Sequence, residues 1–119
     1  MKLNAYQDYA RTTAQYPGQG LMAGLNYAIA ALGGEAGEIL NYWKKILRKQ
    51  SEGVYLRESE SYFKGDPTAR NVLIDELGDI LWYAAALADE LNITLEAVAS
   101  HNLGKLAARA EKNAIKDHA

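Results

Sequence analysis

Cysteine is absent from the chain, which excludes a disulfide framework and any thiolate metal site. There is no excess of positive charge: 13 basic against 15 acidic residues give a formal net charge of −2. A surface that neutralises phosphates along a duplex is therefore not expected, although a small phosphorylated ligand needs only a few placed cations. No stretch reaches the ~18 uninterrupted apolar residues of a membrane span, and the N-terminus Met1-Lys-Leu-Asn-Ala-Tyr-Gln-Asp8 has no apolar leader segment. A soluble cytoplasmic protein that binds neither nucleic acid nor membrane is the expectation. Strand signals are also missing, with no sustained period-two alternation and no Asn-Gly or Asp-Gly hairpin pair. No Walker A sequence occurs, and Gly18-x-Gly20 follows a helical stretch rather than a strand, so it reads as a turn. No Ser/His/Asp set has a plausible frame. His101 and His118, the two histidines, do not supply the Glu-x-x-His pairs of a di-iron bundle.

What remains is helical spacing along the length of the chain. At 119 residues, 49% of them hydrophobic, a single all-α domain over 1–119 is expected, large enough to bury a core. A first helix is read from Leu3 to Gln15, stopped by the breaker cluster Pro17-Gly18-Gln19-Gly20. A long second helix runs from about Leu21 to Lys49, its apolar stripe made by Leu25, Ala28, Leu32, Ile39, Trp43 and Ile46. Gly33, Gly34 and Gly37 lie mid-helix, where each costs ~1 kcal/mol relative to alanine, and suggest close approach of another helix or a ligand. A polar connection from Gln50 to Asp66 carries Tyr55, Tyr62 and Phe63; a loop of that length is often functional or mobile. Asp66 and Pro67 then start a third helix as N-cap and first helical residue, with Leu73, Ile80, Ala84, Leu87 and Leu91 as its stripe. Thr94 caps a fourth helix to about Lys112, and residues 113–119 are expected to form a flexible tail.

Two of these helices carry the same eight-residue pattern: Glu35-Ala-Gly-Glu38-Ile-Leu-Asn-Tyr42 and Glu76-Leu-Gly-Asp79-Ile-Leu-Trp-Tyr83. Residues three and seven apart share a helix face, so each copy aligns two carboxylates and a tyrosine. A solvated face would stand opposite the apolar stripe; these acids border the stripe in both helices. Two such helices facing each other would gather Glu35, Glu38, Glu76 and Asp79. Carboxylates crowded in an apolar bundle take raised pKa values unless protons or a cation neutralise them. Oxygen-only ligands call for a hard divalent ion, Mg²⁺ first and Mn²⁺ as the alternative.

Asn102, Lys105 and Arg109 repeat the three-and-seven spacing on the fourth helix. They read either as a solvated face or as a phosphate clamp, with lysine as point charge and arginine as fork. Lys44, Lys45, Arg48 and Lys49 favour the negative end of the second helix dipole, and Lys45 is the one nearest the acidic face. Trp43 and Trp82 read as core. Tyr42 and Tyr83, one turn beyond each acidic pair, could stack on a base or bond a phosphate oxygen.

The segments Gly34-Glu35-Ala-Gly-Glu38, Asp75-Glu76-Leu-Gly-Asp79-Ile-Leu-Trp-Tyr83 and Asn102-Leu-Gly-Lys105-Leu-Ala-Ala-Arg109 resemble the MazG-type branch of the all-α nucleoside triphosphate pyrophosphohydrolases. The resemblance implies a four-helix-type bundle with paired acidic helices, assembled as a homodimer or homotetramer with sites near subunit contacts. It implies Mg²⁺-dependent cleavage of a nucleoside triphosphate to the monophosphate and pyrophosphate. By the same resemblance Glu35, Glu38, Glu76 and Asp79 would hold the metal, and Asn102, Lys105 and Arg109 would contact phosphates; Tyr83 and Lys45, from their own placement near the acids, are added as candidate substrate contacts. Glu38 is the chosen general base for the attacking water. The alternative is a helical module that binds metal or nucleotide without turnover. The 50–66 connection is longer than in simple members of that family, and the 110–119 tail has no matching pattern.

Overall fold

The computed structural model describes the backbone of residues 1–51 and 67–118, and the side chains of 1–48 and 68–114. Four helices and no strand occur among the described residues: α1 (Leu3–Thr12), α2 (Met22–Ser51), α3 (Pro67–Glu90) and α4 (Leu95–His118). The expected connection over 50–66, with its tyrosines and the Asp66 cap, lies outside the described residues apart from the last turn of α2. No helix among the described residues is long and apolar enough to cross a membrane.

α2 and α3 form an antiparallel pair and make the largest helix contact in the chain. Neighbours along it run in opposite order: Gly24 beside Glu90, Tyr27 beside Tyr83, Glu35 beside Glu76 and Asp79. α1 packs across α3 and the start of α4. The buried residues are mostly alanines, Ala10, Ala28, Ala69, Ala85, Ala86 and Ala88, joined by Leu95. Alanine at helix crossings lets backbones approach closely, and the cluster of Ala10, Ala85, Ala88 and Leu95, flanked by Tyr6 and Trp82, marks the α1–α3–α4 junction.

That junction is tied by one buried polar side chain. Gln7, 3% exposed, donates through Nε2 to Asp89 Oδ1 at 2.9 Å and to the Ile93 carbonyl at 3.0 Å, and accepts the Leu95 N–H at 2.9 Å. The first amides of a helix lack partners within it. Here the Asn4 side chain takes the Glu96 N–H at 3.2 Å and Thr94 Oγ1 takes the Ala97 N–H at 3.1 Å, so α1 completes the cap that Thr94 begins. α3 ends in a Schellman turn: Asn92 sits at φ 55°, with Ile93 N–H to the Ala88 carbonyl and Asn92 N–H to the Asp89 carbonyl, both 3.0 Å. Leu91, expected on the apolar stripe of α3, is carried outward by that turn and is 58% exposed.

The breaker cluster after α1 folds into a turn seated on α2 and α3. Gly20 adopts φ 81° and Leu21 N–H bonds the Gly18 carbonyl at 2.9 Å. Glu90 accepts from Gly20 N–H at 3.1 Å and from the Tyr16 hydroxyl at 2.6 Å. Gly24 meets this turn so closely that a Cβ there would run into the Gly18 carbonyl and approach Glu90 Oε1 to 2.9 Å. Gly33, Gly34 and Gly37 differ: among the described residues a methyl at any of them meets nothing within 4 Å, so no described helix accounts for those glycines. α4 continues past the expected end near Lys112 to His118.

Gly24→Ala is expected to destabilise the protein by about 1–3 kcal/mol through overpacking against the turn. Gly33→Ala should instead stabilise it by up to about 1 kcal/mol through helix propensity. Urea unfolding of the two variants checks the pair; equal midpoints would refute the close seating of the turn.

Candidate active site

Glu35 and Glu76 stand on facing stretches of α2 and α3, and Asp79 lies one turn along from Glu76. Each of the three offers an oxygen within 4.8 Å of the others. Glu35 and Glu76 are partly buried and Asp79 is exposed, so the cluster opens to solvent on one side. The Glu35 carboxyl is pushed above the usual carboxylate range, first by desolvation, then by the charges of Asp79, Glu76 and Glu38, and last by a hydrogen bond with Glu76. Burial and like charge both disfavour its ionised form. Three converging oxygen donors of this kind could hold a hard divalent cation, and no nitrogen or sulfur donor stands among them. Glu38 is exposed, one turn from Glu35 on α2. It acts on Glu35 through its charge but is not one of the three converging acids.

An open cleft of about 360 Å³ borders the cluster, lined by Glu35, Asp79, Trp82 and Tyr83. Tyr83 is therefore beside the acids as its spacing indicated. Its hydroxyl is raised in pKa by desolvation first, then by Tyr27, to which it is hydrogen-bonded, and by Glu35 and Asp79. Tyr6 on α1 is also raised, by burial and then by the Asp79 charge. Tyr27 stacks on Tyr16 with ring centroids 5.6 Å apart, and Trp82 meets both Tyr16 (6.4 Å) and Tyr83 (4.9 Å) edge to face. The rear of the acidic cleft is thus aromatic. Trp82, read from sequence as core, packs on the core cluster with one part and lines the cleft with another.

The cations are elsewhere. Among the described residues α4 packs on α1 and α3, and every described side chain from Ser100 onward is exposed; Asn102, Lys105 and Arg109 do not line the cleft beside Glu35 and Asp79. Lys45 is exposed on α2, about 15 Å of helix rise from Glu35, and does not line the cleft. A larger cleft of about 630 Å³ lies at the α1 corner, lined among others by Gln7, Arg11, Tyr16, Asp89 and Glu90. Its polar groups bond one another, Arg11 to Asp89 at 2.8 Å and Tyr16 to Glu90 at 2.6 Å, which explains them as docking contacts of α1.

Sequence reading did not find Tyr6, Tyr16 or the Trp82 contacts. Their partners lie far along the chain, and no periodicity marks them.

The "Gene 37 protein" of Mycobacterium phage L5 is 41% identical to this chain over 119 residues, covering 98% of this chain and 95% of that protein. No solved structure gives a significant match. The MazG nucleotide pyrophosphohydrolase domain matches residues 25–113, a span that holds the three converging acids and the α4 cations while leaving α1 and the glycine turn outside. On that match the chain belongs to the MazG nucleotide pyrophosphohydrolase family.

Proposed function

We propose that this protein is a divalent-metal-dependent nucleoside triphosphate pyrophosphohydrolase, releasing a nucleoside monophosphate and pyrophosphate. The observation that carries the reading is the convergence of Glu35, Glu76 and Asp79 beside an open cleft, in a chain of the MazG family. Those three residues, with Glu38 adjoining, would hold Mg²⁺ or Mn²⁺. A divalent cation held there would supply charge neutralisation at the phosphates and a site for the attacking water. Glu38 stands outside the trio and one turn from Glu35, which suits it to take the water's proton as the α–β phosphoanhydride bond breaks. Tyr83 contributes a hydroxyl at the cleft wall, fixed by Tyr27. Glu38→Ala is expected to lower kcat by about 10²–10⁴-fold with an unchanged circular dichroism spectrum. Full binding of nucleotide and metal without pyrophosphate release by the wild type would instead establish the non-catalytic module.

The apoprotein carries the cost of its crowded acids, and the sign follows from Glu35. Its folded pKa is raised, so the folded state holds this proton more tightly than the unfolded chain and gains stability at low pH. That gain is lost as pH rises through the raised value. The metal-free melting temperature should therefore fall as pH climbs out of the ordinary carboxylate range, and Glu35→Gln should flatten the fall. Millimolar Mg²⁺ should raise the melting temperature at neutral pH; no rise would count against the metal site.

Assembly completes the reading. Ile74, Leu77 and Leu81 line one exposed face of α3, and Leu103 and Leu106 are exposed on α4. Apolar rows of this kind mark contact surfaces. A second copy of the chain would cover them and bring Asn102, Lys105 and Arg109 to the phosphates across a two-fold interface, in a homodimer or homotetramer. Glu38→Ala and Arg109→Ala chains, each nearly inactive alone, should then regain about a quarter of wild-type activity when co-assembled, since half of the pairs are mixed and each mixed pair has one intact site. Activity assay of the mixture checks this; no recovery would place Arg109 in the site of its own chain.

A further inference from the structure

Trp82 is held in place by contacts from the segment that precedes the family match. Its indole N–H donates to Thr13 Oγ1 at 2.8 Å, and the Thr13 hydroxyl in turn donates to the Ala10 carbonyl at 2.7 Å. A hydroxyl has one proton and two lone pairs, so committing the proton to Ala10 leaves a lone pair for the indole. Thr13 is the residue at which α1 stops, and its amide closes the last turn to Ala10 at 3.0 Å. Tyr16, fixed by Glu90 at 2.6 Å, abuts the indole edge to face with centroids 6.4 Å apart. Tyr83, the next residue of α3, does the same at 4.9 Å. One side of Trp82 borders Ala10, Ala14 and Ala86, and the other lines the cleft with Glu35 and Asp79. A tryptophan that only filled the core would need volume; this one also has its ring angle set by a directional bond, at the wall next to the acids.

We propose that Thr13 is a positioning residue that fixes Trp82 as the wall on which the planar base of the substrate packs, so that residues 1–20 form part of the substrate site. The inference rests on the nucleotide reading above. Triphosphate is held by the acidic end through metal; the base meets the aromatic end, where ring stacking is favourable and tolerant of base identity. Thr13 touches neither substrate nor metal and acts only through Trp82.

The test is calorimetric binding to the full-length protein with Mg²⁺, using two probes. One is a set of nucleoside α,β-imidotriphosphates with purine and pyrimidine bases, whose α–β linkage resists cleavage; the other is inorganic tripolyphosphate, which has no base. Thr13→Val keeps the shape of the side chain and removes the acceptor. It should weaken the nucleotide probes on the order of tenfold and leave tripolyphosphate unchanged, and Thr13→Ser should restore wild-type binding. Trp82→Phe, which removes the donor, should reproduce the Thr13→Val pattern, and it decides the matter if Thr13→Val does not fold. Equal nucleotide affinity in wild type, Thr13→Val and Trp82→Phe overturns the proposal, as does equal weakening of both probes, which would make Thr13 a scaffold contact only. Wild-type protein that binds tripolyphosphate but gains nothing from the base also overturns it while leaving the metal site standing. Failure to bind either probe overturns the nucleotide reading itself, and this proposal with it.

Discussion

Glu35 faces Glu76 and Asp79 across the α2–α3 pair, and the rest of the architecture has to oppose the repulsion among them. The Glu35 carboxyl is raised above the usual carboxylate range, first by burial and then by those neighbouring charges. Holding like charges within hydrogen-bonding range costs stability unless protons or a cation intervene. The two helices therefore need attachments away from the acids. They have them at the far end of the pair, where Glu90 at the end of α3 binds the turn that leads into α2. Gly24 there allows the backbone of α2 to approach the turn directly. The acids occupy the middle of the pair, and the clamp lies at one end.

α1 extends that clamp. Gln7 and Asn4 satisfy amides at the start of α4, and Asp89 joins Gln7 and Arg11 to the last turn of α3. Removing Gln7 would leave the buried Leu95 amide without its acceptor, the kind of loss that costs more than the bond itself contributes. The packing beneath is alanine, which gives close helix approach but little apolar area per residue. Many of the larger apolar side chains are exposed, Leu40 at 70% and Leu77 at 61% among them. A small buried core and well-formed exposed apolar rows are two sides of one design on the proposed assembly, in which part of the core is supplied by a second copy.

Much of the acidic cleft was legible in the sequence, because it is written in local periodicity. The repeated acid spacing located Glu35, Glu76 and Asp79, Tyr83 followed from the same register, and Thr94 announced the start of α4. Pro17 to Gly20 read correctly as a turn. What was not legible depends on partners distant along the chain. Gln7 meets Ile93 and Leu95, Tyr16 meets Glu90, and Thr13 meets Trp82; these polar residues have no periodic signature until the fold is known. Leu91 misled because apolar spacing continues past the residue at which Asn92 reverses the chain. The mid-helix glycines Gly33, Gly34 and Gly37, expected to admit a close helix or a ligand, have no described element of the chain against them.

This division has a consequence for how specificity is built. The stretch matched by the family carries the acids and the cations, which on the proposed function would recognise phosphate, a group common to every nucleotide. Phosphate recognition by charge and metal is insensitive to the base. The aromatic rear wall combines family positions, Tyr27, Trp82 and Tyr83, with Tyr16 and Thr13 from outside the match. Tyr6, from α1, is close enough to respond to the Asp79 charge. Changes in the N-terminal segment can therefore alter the wall while the acidic helices keep their spacing. The same segment caps α4 and holds the end of α3, so its residues are under two demands at once. A substitution that reshapes the wall has to preserve the clamp; Tyr16 is bound into it through Glu90, which leaves Thr13 as the position where the end of α1 meets the wall without touching either Glu90 or the Gln7 junction.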